Sequence, residues 1–167
     1  MIKKILSCML CMLMLFTCVA CSNTNASASK AYVFSYNGAE IAIDDELDGV
    51  LAALGSYDRH ETSPSCNHDG DAHFYYYGTK IELESYPKNG KDLLYKITLF
   101  DDTVKTSEGI RIGDTKDAVI KAYGDAAEEK GTALRYRAGD MYLQFNFTKD
   151  GLVSQIQYLH PDAVKAS

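Results

Sequence analysis

Between Ser56 and His73 the chain reads SYDRHETSPSCNHDGDAH, a stretch that holds three of its four histidines together with Cys66. Imidazole and thiolate are the donors of zinc and copper sites. His60, Cys66, His68 and His73 are thus the side chains whose types could hold a metal. Their spacing fits no compact zinc pattern, because there is one cysteine and the histidines stand eight and five residues apart. No metal is expected, with Cys66, His68 and His73 the candidates if one is bound. Asn67, Asp69 and Asp71 alternate like the start of a calcium loop. Such a loop requires Gly at its sixth position and Glu at its twelfth, where this chain has Ala72 and Gly78.

Cys66 is also the candidate for thiol chemistry. In a chain that leaves the cytoplasm, a lone thiol can pair between molecules or serve a redox reaction. A nucleophilic cysteine needs a histidine base and an orienting group, and His68 is two residues away. The commoner fate of such a cysteine is burial as a small apolar side chain. The sequence has no Gly-x-Ser-x-Gly elbow, no His-Glu-x-x-His, no phosphate loop and no dinucleotide fingerprint. No catalytic residue and no cofactor are therefore expected. Asp101-Asp102 and Glu128-Glu129 read as turn or surface acids, and Tyr75, Tyr76 and Tyr77 as strand residues.

The elements that must position these groups are announced by an internal similarity. IAIDDELDGVLAALG (41–55) matches IRIGDTKDAVIKAYG (110–124) at a constant offset of 69, with seven of fifteen positions identical. In each stretch two Ile flank one residue, as at the end of a strand. Asp45 and Asp114 stand where a helix N-cap belongs, with Asp48 and Asp117 three residues on. Val50, Leu51 and Leu54 then share one helical face, as do Val119, Ile120 and Tyr123. Gly55 and Gly124 close the helices. Residues 92–100 and 151–159 correspond at an offset of 59, so the first copy carries about ten extra residues, placed in the loop 56–73.

Alternation and turn residues give the strands. Tyr32–Tyr36 and Ala39–Ile43 form a hairpin through Asn37-Gly38. Strands are expected at Phe74–Tyr77, Lys80–Tyr86 and Leu93–Phe100, then at Ala133–Arg137, Met141–Phe147 and Leu152–Leu159. The fold class read from this pattern is α+β: two tandem copies of a helix followed by about three antiparallel strands, with the helices packed on one sheet face. The first copy, with the hairpin, occupies 31–107 and the second 108–160, leaving 161–167 as a tail.

The element IRIGDTKDAVIKAYG resembles the repeat of the β-lactamase-inhibitor-protein-like group, and it is similar to a short element of outer-membrane assembly lipoproteins of the SmpA/OmlA type. The chain as a whole resembles a set of lipoproteins from Clostridia-like bacteria. These resemblances cover most of 31–160 and are structural. They imply tandem helix-plus-sheet repeats and carry no catalytic residue. They also imply a protein that binds a partner through a sheet face and loops.

The first thirty residues give an address. Lys3 and Lys4 precede a run of 16 uncharged residues, Ile5–Ala20. This is the pattern of a secretory signal, and the run is shorter than the roughly 20 residues a spanning helix needs. Cys18-Val19-Ala20-Cys21 resembles the lipobox of bacterial lipoproteins, with Cys18 where Leu is usual. The resemblance implies cleavage after Ala20 and a diacylglyceryl lipid, with further acylation, on Cys21. The alternative is an ordinary cleaved signal with an incidental cysteine. Residues 21–30, rich in Ser, Asn and Ala, read as a tether. After residue 20, 15 basic residues face 23 acids, a net charge of −8. That excludes nucleic acid as a partner and disfavours broad contact with anionic lipid. With Cys21 acylated, Cys66 has no partner for an internal disulfide. The function expected is a membrane-anchored extracytoplasmic lipoprotein, held by its lipid, that binds a protein or peptide without catalysis. The alternative is a small metal-binding or thiol-redox protein built on the Cys66/His68 loop.

Overall fold

A computed structural model describes residues 32–65 and 68–165. The chain opens on a hairpin of β1 (Phe34–Tyr36) and β2 (Ala39–Ile41). Its turn residues Asn37 and Gly38 have φ of 51° and 85°, the left-handed pair that a tight hairpin turn demands. Helix α1 (Leu47–Leu54) follows, and then β3 (Arg59–Pro64), β4 (Asp71–Tyr77), β5 (Ile81–Lys88) and β6 (Lys91–Leu99). Helix α2 (Lys116–Tyr123) leads to β7 (Glu128–Lys130), β8 (Ala133–Ala138), β9 (Met141–Phe147) and β10 (Val153–Leu159). The described residues end in a short helix, α3 (Pro161–Lys165). Among them no helix is long and apolar enough to cross a membrane.

All eight strands from β3 to β10 join one antiparallel sheet in the order β3-β4-β5-β6-β10-β9-β8-β7. The fold is therefore mainly β, and the expected α+β arrangement of two helix-plus-three-strand copies is overturned. Three features explain the difference. The helices α1 and α2 are eight residues each, too short to form a helical layer. Strands β3 (RHETSP) and β7 (EEK) are exposed along their whole length. They lack the alternation that betrays a strand in sequence, because edge strands with both sides solvated need no apolar set, and their charges deter pairing with other chains. Lastly β6 pairs with β10, Leu99 opposite Ile156, which makes one continuous sheet. Within the stretch expected as a loop, 56–73, residues 59–64 are β3 and residues 71–73 begin β4.

The core lies on one sheet face. Leu83, Ile97, Leu99, Leu143, Phe145 and Ile156 are fully buried there. Leu47, Val50 and Leu54 of α1, Val119 of α2, and Phe34 and Ile41 of the hairpin belong to the same cluster. Burying a side chain of this size contributes roughly 1.5–3 kcal/mol. Ile120, expected on the inner face of α2, is exposed, because the stripe is centred on Val119 and Tyr123, one turn apart. The helix starts also differ from expectation. Asp45 and Asp114 accept the backbone N–H of Ala42 and Arg111, at 2.7 and 2.9 Å, and so close the preceding turns. The helices begin one residue later. Thr115 caps α2 by accepting from the Ala118 N–H, and Glu46 at the start of α1 makes no side-chain cap.

Candidate functional site

The alternation that fills the core turns a second set of side chains to the opposite sheet face. Lys96 on β6 pairs with Glu84 on β5 and lies 3.9 Å from Glu82. Burial pushes the Glu82 carboxyl above its ordinary range, and Lys96 opposes that shift. Arg135 on β8, 6% exposed, donates to Gln144 on β9 and stands 3.3 Å from Glu128. The Gln144 amide donates to Gln157 Oε1 at 3.0 Å and to Asn146 Oδ1 at 2.9 Å. Asn146 in turn donates to Gln155 at 2.8 Å. Side-chain hydrogen bonds thus run in a chain across β8, β9 and β10. Such a network holds each group in one orientation. A hollow of about 200 Å³ lies between Glu84 and Lys96 on one side and Arg135 and Gln144 on the other, with Gln157 and Leu159 also at its wall. Toward the β3 edge, Arg59 lies 3.7 Å over the ring of Tyr76, whose hydroxyl donates to Glu61 at 3.2 Å. The face offers fixed donors and acceptors of both charge signs, which suits hydrogen bonding to an extended polar segment.

Cys21 and Cys66 lie outside the described residues. Of the remaining metal candidates, His73 sits on β4 beside His60 of β3, with His60 Nε2 3.2 Å from His73 Nδ1. His68 is not with them. Its ring packs edge-on against Tyr86 and Tyr95, with centroids at 5.3 and 5.5 Å. Its Nδ1 lies 3.0 Å from Ser65 Oγ, and its Nε2 is buried without a partner among the described residues. Among the described residues no three His, Cys, Asp or Glu side chains are placed to share an ion.

His160 completes the cluster around His68. It stacks on Tyr95 at 5.3 Å and packs on Tyr86 at 5.2 Å. Burial holds its imidazole below the ordinary 6.5, against the pull of Asp44 and Asp162. The Tyr86 hydroxyl donates to Asp44 at 2.6 Å and receives Lys88 Nζ at 3.2 Å. Burial, then the bond to Asp44, raises the Tyr86 hydroxyl well above its ordinary value. Asp44 itself has φ of 71°, an uncommon conformation for a residue other than Gly, Asn or Asp.

No protein-family model matches the chain, and no curated protein matches it. Solved structures match in fold. An extracellular protein containing a SCP domain from Bacillus anthracis str. Ames aligns with a TM-score of 0.54 at 13% identity, over 74% of this chain and 45% of that one. A cysteine-rich secretory protein from Staphylococcus aureus subsp. aureus Mu50 aligns with a TM-score of 0.53 at 13% identity, over 82% and 48%. A DUF4309 family protein from Bacillus subtilis subsp. subtilis str. 168 gives a TM-score of 0.45 at 15% identity, over 70% and 78%. The chain thus spans just under half the length of the first two. At these identities the likeness to them is one of fold alone. None of the three bears the name of a β-lactamase inhibitor protein or an outer-membrane assembly lipoprotein.

Arg135, Gln144, Gln157, Asp44 and His160 carry little signal in the sequence. The alternation of Tyr142, Gln144 and Asn146 with Leu143, Phe145 and Phe147 does mark a polar strand face. What it lacks is register. Only the pairing of Arg135 with Gln144, and of Gln144 with Gln157, turns scattered polar residues into a network.

Proposed function

We propose that this chain is an extracytoplasmic lipoprotein, anchored by lipid on Cys21, whose body binds a protein or peptide through the polar face of its sheet without catalysing a reaction. The observation that carries this reading is the chain of hydrogen bonds from Arg135 through Gln144 to Gln157, beside the Glu84–Lys96 pair. These groups are held by one another, so little ordering remains to be done when a partner docks. The net charge of −8 after residue 20 favours attachment through a lipid over attachment by electrostatic contact with anionic head groups.

The test is photocrosslinking in intact cells, with the photoreactive residue at Gln157 or Arg137 on the proposed face and at Lys121 of α2 as the comparison site. A discrete adduct from the first two positions, absent from the third, is expected. The same adducts from all three, or none, would overturn the reading. The anchor is tested separately by metabolic labelling with a fatty acid. The wild-type chain should take up label and Cys21→Ala should not.

A further inference from the structure

We propose that His60 and His73 form a binding site for a first-row divalent cation such as Zn²⁺, Ni²⁺ or Cu²⁺ on the β3–β4 edge of the sheet. This does not rest on the binding role of the opposite face. His60 pairs with Tyr75, and His73 pairs with Thr62. The two histidines are therefore diagonal neighbours on one face of an antiparallel pair, close enough for long side chains to meet. Their ring nitrogens do meet, at 3.2 Å, with ring planes 23° from parallel. Two imidazole nitrogens bound about 2.0–2.1 Å from one ion are roughly 2.8–3.0 Å apart at cis positions of a square-planar centre and roughly 3.3–3.4 Å apart on a tetrahedral one. The observed 3.2 Å lies between these two spacings, within a few tenths of an ångström of either.

The surroundings hold this geometry. The His60 ring lies flat on the buried Tyr75, with centroids 4.5 Å apart and planes at 15°, and Tyr57 meets both rings from the side. His73 Nδ1 faces both His60 Nε2 and Thr62 Oγ1, the latter at 3.1 Å. An ion drawing on both imidazoles takes the place of the His60–His73 hydrogen bond. The two rings supply two of the positions such an ion needs. The rest face solvent and go to water, or to a group on a docking molecule.

The test titrates the full chain with ZnCl₂, NiCl₂ and CuCl₂ in turn, by calorimetry, and follows the Cu²⁺-loaded protein by electron paramagnetic resonance. One equivalent should bind, and the copper spectrum should show coupling to two imidazole nitrogens. His60→Ala and His73→Ala should each weaken binding at least tenfold. His68→Ala, His160→Ala and Cys66→Ser should leave it unchanged. Because His60 is exposed, its replacement leaves the core intact, and circular dichroism of the variants checks this. Absence of binding, a copper spectrum without two coupled nitrogens, or loss of binding in Cys66→Ser but not in His60→Ala would overturn the proposal.

Discussion

The same substitution, glycine to alanine, should have opposite effects at three positions of this chain. Gly55 and Gly124 close α1 and α2 with φ of 84° and 79° and ψ near −157°. That region is open essentially to glycine alone, and a side chain held there costs about 1–3 kcal/mol. The conformation is imposed from both ends. Each glycine N–H bonds back to the helix, Gly55 to Leu51 O at 3.0 Å and Gly124 to Ile120 O at 2.7 Å. Each glycine carbonyl also accepts a tyrosine hydroxyl from the sheet, Tyr77 at 3.4 Å and Tyr136 at 3.1 Å. A Cβ at either position meets nothing within 4 Å, so the cost is backbone strain and not crowding. Gly49 lies inside α1, outside the positive-φ set, and its Cβ would also stand in open space. There alanine should gain about 0.5–1 kcal/mol from its better helix propensity. For a domain of this size 1 kcal/mol moves the melting temperature by about 3 °C. Gly55→Ala and Gly124→Ala should each melt about 3–9 °C lower, and Gly49→Ala about 1–3 °C higher, by differential scanning calorimetry at one pH. If all three shift the same way, or if Gly55→Ala and Gly124→Ala melt with the wild type, backbone conformation does not set the cost.

Two further outcomes follow from buried polar groups. The Tyr158 hydroxyl is buried with no hydrogen-bond partner among the described residues, so Tyr158→Phe removes a desolvation cost and should raise stability by up to about 1 kcal/mol in urea unfolding. A fall in stability would show that the hydroxyl is satisfied after all. His160 is held below its ordinary 6.5 in the fold by burial. The unfolded chain therefore binds the proton more readily, and this contribution is present above pH 6.5 and lost as the pH falls toward the depressed value. The urea midpoint should drop between pH 7.5 and 5.5, and His160→Gln should flatten that drop. An equal slope in both proteins would refute the assignment.

The sequence displayed its interior more fully than its edges. Leu143, Phe145 and Phe147 alternate because their strand has one dry face. The Asn37-Gly38 turn shows because its backbone needs left-handed residues. Gly55 and Gly124 were visible as helix ends, although their ψ is extended and not that of a left-handed helical cap. β3 was invisible because an edge strand whose residues are all exposed carries no apolar period, and so 56–73 read as a loop. His60 and His73 could be noted as metal-ligand types, but only the β3–β4 register brings them to 3.2 Å. The Arg135–Gln144–Gln157 network was unreadable for the same reason: it crosses three strands, and no spacing within one strand encodes it.

The pairing of β6 with β10 places the last of the described strands at the middle of the sheet. Every strand from β3 to β9 can be synthesised and exported while the centre is still missing. Until residues 153–159 arrive, two four- and three-stranded fragments each expose an open edge, with Leu99 and Phe145 bare on their apolar face. β10 pairs with β6 on one side and β9 on the other, and its pairing with β6 joins residues far apart in sequence, a kind of contact that slows folding. Cells that monitor exported proteins receive a simple signal from this arrangement. A chain broken before residue 153 loses its keystone and not a fringe, so such damage should be read by proteases as complete failure to fold.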